Sequence, residues 1–222
     1  MPKANAAGLS ADEANRRYFR TAYRNGQHGW GIDKPSPFAL AYLARLTHRI
    51  PGGKLLDLGC GEGRHAIAAA QAGFRAVGID YEPLALERAR SFARAAQIKN
   101  ITFRLADIFS LPFPSSSFDI VLDYGCLHHQ RKSDWPGYKT SVLHVLKRHG
   151  FFVLSVFSPR FRMFEGSKRP WHIAHGAYRR CFTRKDILDL FNSDFELLEI
   201  TEQLGPGGGF WHAFMERRPQ SA

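Results

Sequence analysis

Three carboxylates and three glycines stand where this chain could do chemistry. Asp57 lies inside an apolar run, "LLDLGCGEG", that gives way to Gly59, Gly61 and Gly63 at alternate positions. Asp80 closes "VGID", and Asp107 follows a third apolar run in "LADIF". An acid at the end of a second strand can accept hydrogen bonds from both hydroxyls of a ribose. A dinucleotide fingerprint, GxGxxG, would put its third glycine at Arg64, so the pattern here is GxGxG instead. The Gly-Lys-Ser/Thr end of a phosphate loop is also missing. A carboxylate at position 57 repels a ligand with two phosphates and suits one with a cationic amino acid moiety. Asp107 is placed to accept from an adenine amino group while Ile108 packs on the ring. Ribose, adenine and a cationic amino acid together describe S-adenosylmethionine. Tyr81 adjoins Asp80 and joins the candidate cofactor contacts, whereas Cys60 and Glu62 would offer backbone N–H groups between the glycines.

Alternating strands and helices must position these groups. Ser10 and Glu13 have capping-box spacing, which predicts a helix over 11–23, and Ser36-Pro37 opens a second helix ending near Arg49. Strands are expected at 55–58, 75–79, 101–105, 118–123 and 151–157, with helices over 64–72, 83–97 and 138–147. Thr183 reads as the N-cap of a helix through Phe191. Two last strands, 195–201 and 210–217, are joined by "GPGGG" and lie close enough to pair as a hairpin. The expected fold is α/β: a doubly wound, mostly parallel seven-stranded sheet with an antiparallel C-terminal hairpin and N-terminal helices.

The ordered set "LLDLGCGEG", "GIDYEP", "LADIFSLPF", "FDIVLDYGCLHH" and "LKRHGFFVLSVFS" resembles the class I S-adenosylmethionine-dependent methyltransferases over about 55–157. That resemblance implies a Rossmann-like fold, S-adenosyl-L-methionine as cofactor and methyl transfer as the reaction. In such folds the end of the fourth strand faces the transferred methyl, here "LDYGCLHHQ". Base-directed amino methylases carry Asn/Asp-Pro-Pro-Tyr at this place, and cytosine five-position methylases carry Pro-Cys. This chain has Asp123-Tyr124-Gly125-Cys126 instead. The DxGxxH pattern with "GWGIDKPSP" is similar to the thiol, thiopurine and tellurite branch. It implies that Trp30 covers the cofactor and that Asp123 to Gly125 shape the methyl-facing wall. His128 is the candidate polar contact or base to the acceptor, because imidazole titrates near neutrality. Tyr124 would orient the acceptor or pack beneath the cofactor, and His129 is read as structural.

Length and composition bound the rest. A chain of 222 residues with 44% hydrophobic residues fits one packed α/β unit. It divides into an N-terminal helical lid, 1–50, and a catalytic unit, 51–222, with 159–183 inserted as a basic substrate cover. That segment places eight arginines and lysines from Arg160 to Lys185 against Glu165, and interleaves aromatic residues. A net charge of +11 keeps an acidic partner in view. The function expected is transfer to a small-molecule acceptor, a thiol or another soft or anionic nucleophile. The alternatives are an RNA methyltransferase that tracks phosphates through the basic segment, and a cofactor-binding module without turnover. His172, His175 and Cys181 lack a full tetrahedral set, so no metal is expected. Three widely spaced cysteines, an N-terminus without an apolar core and no long apolar run predict a cytoplasmic protein without membrane contact. Oligomeric state stays open.

Overall fold

A computed structural model describes residues 11–26, 28, 30, 34–204 and 208–219. The expected cap at Ser10 and most of the "GWGID" and "GPG" stretches lie outside the described residues. Helices α1 (Ala11–Asn25) and α2 (Pro37–Arg49) precede β1 (Lys54–Leu58). There follow α3 (Arg64–Gln71), β2 (Arg75–Asp80), α4 (Pro83–Ala95), β3 (Ile101–Leu105) and β4 (Phe118–Tyr124). The second half holds α5 (Trp135–Val145), β5 (Leu146–Phe157), β6 (Trp171–Ala174), β7 (Ala177–Arg180) and α6 (Arg184–Phe191). Strands β8 (Phe195–Gln203) and β9 (Phe210–Arg217) close the chain.

Seven strands form one sheet in the order β3-β2-β1-β4-β5-β9-β8, with β9 antiparallel to both of its neighbours. Side chains alternate across a strand, so each buried strand feeds two cores. Leu55, Ile120, Leu122 and Val153 pack with Leu43 and Leu46 of α2 and the alanine face of α3. Leu56, Val121, Phe152 and Leu154 pack on the other side with Tyr138 and Val142 of α5 and Phe191 of α6. Strand order reverses between β1 and β4, which opens a crevice at the carboxyl ends of the strands. Among the described residues no helix is long and apolar enough to cross a membrane.

Three local expectations change. Helix α5 begins at Trp135 rather than Tyr138, because Pro136 fits its first turn. Leu146 and Lys147 leave that helix for β5, where Leu146 pairs with Phe118. The basic segment is more than a loop: β6 and β7 form an antiparallel hairpin about His175 and Gly176, both at positive φ (52° and 84°). That is the backbone of a two-residue hairpin turn whose twist matches the strands. At α6 the expected cap is present, with Thr183 and Asp186 bonding each other's backbone N–H.

Candidate active site

The crevice is a cavity of about 890 Å³, at the upper end of the roughly 300–1,000 Å³ usual for small-molecule sites. Its floor is the glycine turn between β1 and α3. Gly59 and Gly61 hold φ of 62° and 55°, and a Cβ on Gly61 would lie 2.6 Å from the Tyr23 hydroxyl. Only glycine combines that backbone with so close a neighbour. Asp57, Gly59, Cys60, Gly61, Asp80, Tyr81, Asp107, Ile108, Tyr124, His128 and Trp30 all line the cavity.

Parallel pairing sets the strand ends side by side and gathers the acids. Asp80 Oδ2 accepts from Gly61 N at 2.9 Å and Oδ1 from Glu82 N at 2.9 Å, which leaves lone pairs on both oxygens. Asp57 Oδ2 accepts from Ala66 N at 3.1 Å, so this carboxyl also caps α3. Burial, and then the neighbouring Asp123, push Asp57 up to about 8. Burial lifts Asp80 to about 6 despite its hydrogen bonds. In the free protein Asp57 is therefore largely protonated at neutral pH, and a cation bound beside it favours the ionised form.

Asp123 is the exception among the expected contacts. It is fully buried, does not line the cavity, and accepts from Cys126 N (2.7 Å), Leu127 N (2.9 Å) and the Tyr138 hydroxyl (2.5 Å). These bonds hold the turn after β4 and tie it to α5.

Helix α1 closes the cavity from above. Arg16 Nη2 meets Asp107 Oδ2 at 2.5 Å, and its guanidinium lies 4.6 Å from the Tyr81 ring centre. Asn15 donates to His129 O (3.1 Å) and accepts from Tyr178 N (2.7 Å), which ties α1 to both the turn after β4 and the β6–β7 hairpin. Trp30 donates to the Tyr23 hydroxyl at 3.0 Å, fixing an aromatic group beside the glycine turn.

His128 Nδ1 accepts from Phe157 N at 3.3 Å, and its ring stacks on Phe157 at 3.6 Å. Burial, then His129 and Arg179, hold its pKa well below the usual value. A neutral ring with Nδ1 accepting carries its proton on Nε2. Of the two roles expected of His128, this geometry favours the polar contact. His129, read as structural, also lines the cavity; its Nδ1 pairs with Tyr178 O at 3.0 Å, and burial lowers it to about 4. Tyr124 sits between His65 (4.6 Å) and Phe210 (5.7 Å), with Arg64 over its ring at 5.3 Å. Sequence reasoning missed Arg16, Tyr23, Arg179 and Phe210 as cavity residues. Only the basic, aromatic composition of 160–185 signalled any part of this wall.

A doubly wound sheet with an antiparallel penultimate strand and a cavity at its carboxyl edge defines a class I S-adenosylmethionine-dependent methyltransferase fold. Residues 51–183, more than half of the chain, match the methyltransferase domain family, and the chain belongs to that family. It is 30% identical over 129 residues to a 2-heptyl-1-hydroxyquinolin-4(1H)-one methyltransferase of Mycobacteroides abscessus, covering 58% of this chain and 55% of that protein. The chain thus spans about half the length of that curated relative. It is 32% identical to an uncharacterized methyltransferase of Schizosaccharomyces pombe, over 52% of this chain and 81% of the relative. In fold it is similar to the Burkholderia thailandensis 1,6-didemethyltoxoflavin-N1-methyltransferase, whose crystal structure holds 1,6-didemethyltoxoflavin and S-adenosylhomocysteine. The TM-score is 0.74 with 22% identity, over 99% of this chain and 95% of that one.

Proposed function

We propose that this protein transfers a methyl group from S-adenosylmethionine to a small-molecule acceptor with a soft or anionic nucleophilic atom. The observation that carries the reading is one cavity, large enough for donor and acceptor together, in which the carboxyl groups of Asp57 and Asp80 stand at the glycine turn. Asp80 accepts from the ribose hydroxyls, Asp107 and Ile108 take the adenine, and Asp57 with the Gly59–Gly61 turn faces the amino acid moiety. Tyr81 and Trp30 bound the adenosyl group, and the backbone around Cys60 completes the turn.

The donor, when bound, supplies a methyl carbon on a sulfonium leaving group. An acceptor lone pair would form the new bond while the C–S pair stayed with sulfur, leaving S-adenosylhomocysteine. The protein's task is alignment and exclusion of water. Helix α1 and Trp30 close the cavity, so residues 1–50 act as its lid and 159–183 as the cover of the acceptor side. Tyr124 and His128 orient the acceptor, and an acceptor that arrives deprotonated needs no base. The similarity of DxGxxH and "GWGIDKPSP" to thiol, thiopurine and tellurite methyltransferases supports a soft or anionic nucleophile.

A turnover screen that detects S-adenosylhomocysteine tests this reading against thiols, oxyanions, amines and structured RNA. Turnover with a small acceptor is expected; turnover confined to RNA, falling steeply with added salt, would overturn it.

A further inference from the structure

Arg179 is 7% exposed and lines the cavity. Its Nη1 donates to Ala174 O at 2.9 Å, and its guanidinium lies 4.7 Å from the Tyr18 ring centre. Among the described residues it forms no ion pair. A guanidinium cannot shed its proton, so burial without a counter-charge is costly unless a ligand supplies one. The cavity acids do not supply it: Asp107 is paired with Arg16 and Glu62 with Arg88. Asp57 and Asp80 bond to the backbone of the glycine turn and its flanks. Two further groups that meet Arg179 electrostatically, His128 and His129, are both held neutral chiefly by burial. Arg162, on the segment before the hairpin, adds a second cation at the exposed rim.

The same side of the cavity is walled with rings. Phe157, Phe161 and Phe210 form a cluster with centroid separations of 4.1, 5.1 and 5.5 Å, and Tyr124 continues it through Phe210. Such surfaces favour flat π systems by stacking beyond simple burial. On this wall the two histidines are locked as opposite tautomers. Phe157 N–H occupies Nδ1 of His128 and leaves an Nε2–H donor, while Tyr178 C=O occupies Nδ1–H of His129 and leaves Nε2 as an acceptor.

We propose that the acceptor is a planar aromatic molecule carrying an anionic oxygen, a carboxylate or an ionised ring hydroxyl. Its ring lies on the phenylalanine cluster, and its anion is met by Arg179 and the His128 N–H. This inference rests on the methyltransferase reading and narrows its acceptor to one chemical class. A small aliphatic thiol would use neither the aromatic wall nor the unpaired guanidinium.

The test is equilibrium binding to protein saturated with S-adenosylhomocysteine, using 1-hydroxy-2-naphthoate, its neutral amide and cyclohexanecarboxylate. For wild type, the naphthoate is expected to bind at least about tenfold more tightly than either control, the scale of one hydrogen bond to a charged group. Arg179→Gln should raise the naphthoate Kd by about tenfold or more and leave the S-adenosylhomocysteine Kd within about twofold. Phe161→Leu should weaken the naphthoate by several-fold through lost stacking, about 0.5–1.5 kcal/mol of contact converting to roughly two- to tenfold. The wild-type comparison stands even if Arg179→Gln fails to fold. Failure of S-adenosylhomocysteine to bind would overturn the methyltransferase reading itself. Its binding with no preference for the aromatic anion would overturn this inference alone.

Discussion

The two ends of the cavity are built on opposite plans. At the end proposed for the donor, Asp57, Asp80 and Asp107 follow from the carboxyl ends of β1, β2 and β3, which the parallel pairing sets side by side. Each acid is the last polar word of one apolar strand, so each announces itself locally. At the end proposed for the acceptor, the wall comes from the turn after β4, the end of β5, the start of β9, the β6–β7 hairpin and α1. No short stretch contains it. The charges differ too: the buried Asp57 and the half-buried Asp80 and Asp107 at one end, and at the other a buried guanidinium that forms no ion pair among the described residues. A cationic donor and an anionic acceptor would then each find the complementary field, and meet in the middle. Reuse of one donor end with many acceptor ends is what this division permits.

The division can be broken at the donor end first. Asp80→Ala is expected to weaken S-adenosylmethionine binding by about 1–3 kcal/mol through the lost charge-assisted ribose contact. Titration calorimetry reads this directly, and an unchanged affinity would remove Asp80 from the ribose.

A pH series comes next in size. Asp57, raised to about 8, is mostly protonated at pH 6, while a bound cation favours its ionised form. Donor affinity should therefore climb by about three- to tenfold per pH unit from 6 to 7.5, with protons released on binding. Above that the donor's own α-amino group, near about 7.7–8.0, begins to lose its charge. The same carboxyl acts in reverse on the free protein. A folded pKa above the unfolded value gives stability that is complete below about 4 and lost as pH rises through about 8. Asp57→Asn, whose amide oxygen can still cap Ala66, should raise the melting temperature of the free protein at pH 8 and flatten the affinity slope. A slope identical to wild type would show that Asp57 does not face the donor.

At the other end the effects are smaller and fall on turnover. His128→Gln should lower kcat by several-fold, about 1 kcal/mol of lost acceptor orientation, and leave the donor Kd unchanged. An unaltered rate would make His128 a packing residue against Phe157. The smallest change is expected from Cys126→Ser. Burial pushes the Cys126 thiol well above its usual range, so it is not a nucleophile at neutral pH, and turnover should stay within about twofold. Loss of turnover with trapping of a methylated Cys126 would require a covalent step at the cavity floor.

The cavity lining at the ends of β1, β2 and β3 was legible because parallel strands and a glycine turn write their requirements into adjacent residues. Asp57, Asp80, Asp107 and Ile108 needed only the knowledge that strand ends face one crevice. Thr183 was equally local, and it caps α6 as expected, with Asp186 completing a capping box that the sequence reading did not name. Asp123 differs from the other acids in a way no local pattern shows: an acid at a strand end looks the same whether it lines a cavity or bonds its own turn, and here it meets the Tyr138 hydroxyl and two backbone N–H groups. The β6–β7 hairpin was hidden by its turn, His175-Gly176, which lacks the Asn-Gly or Asp-Gly pair that usually marks two positive φ values. Arg179 was counted with seven other basic residues of a cover, and nothing in the sequence distinguishes a buried arginine from exposed ones beside it. His129 was set aside because consecutive helical residues diverge, yet the Leu127–His129 turn is a single 3₁₀ turn that brings both rings to the cavity.

The central claim is that the cation-seeking end of the cavity holds the donor and leaves the other end free. A co-crystal structure with S-adenosylhomocysteine is the most direct measurement of it. The account predicts ribose hydroxyls on Asp80, adenine beside Asp107 and Ile108, and open space between the sulfur and the Phe157–Phe210 wall. Adenosyl density stacked on Phe157 and Phe210, with the carboxylates at 57 and 80 untouched, would contradict it.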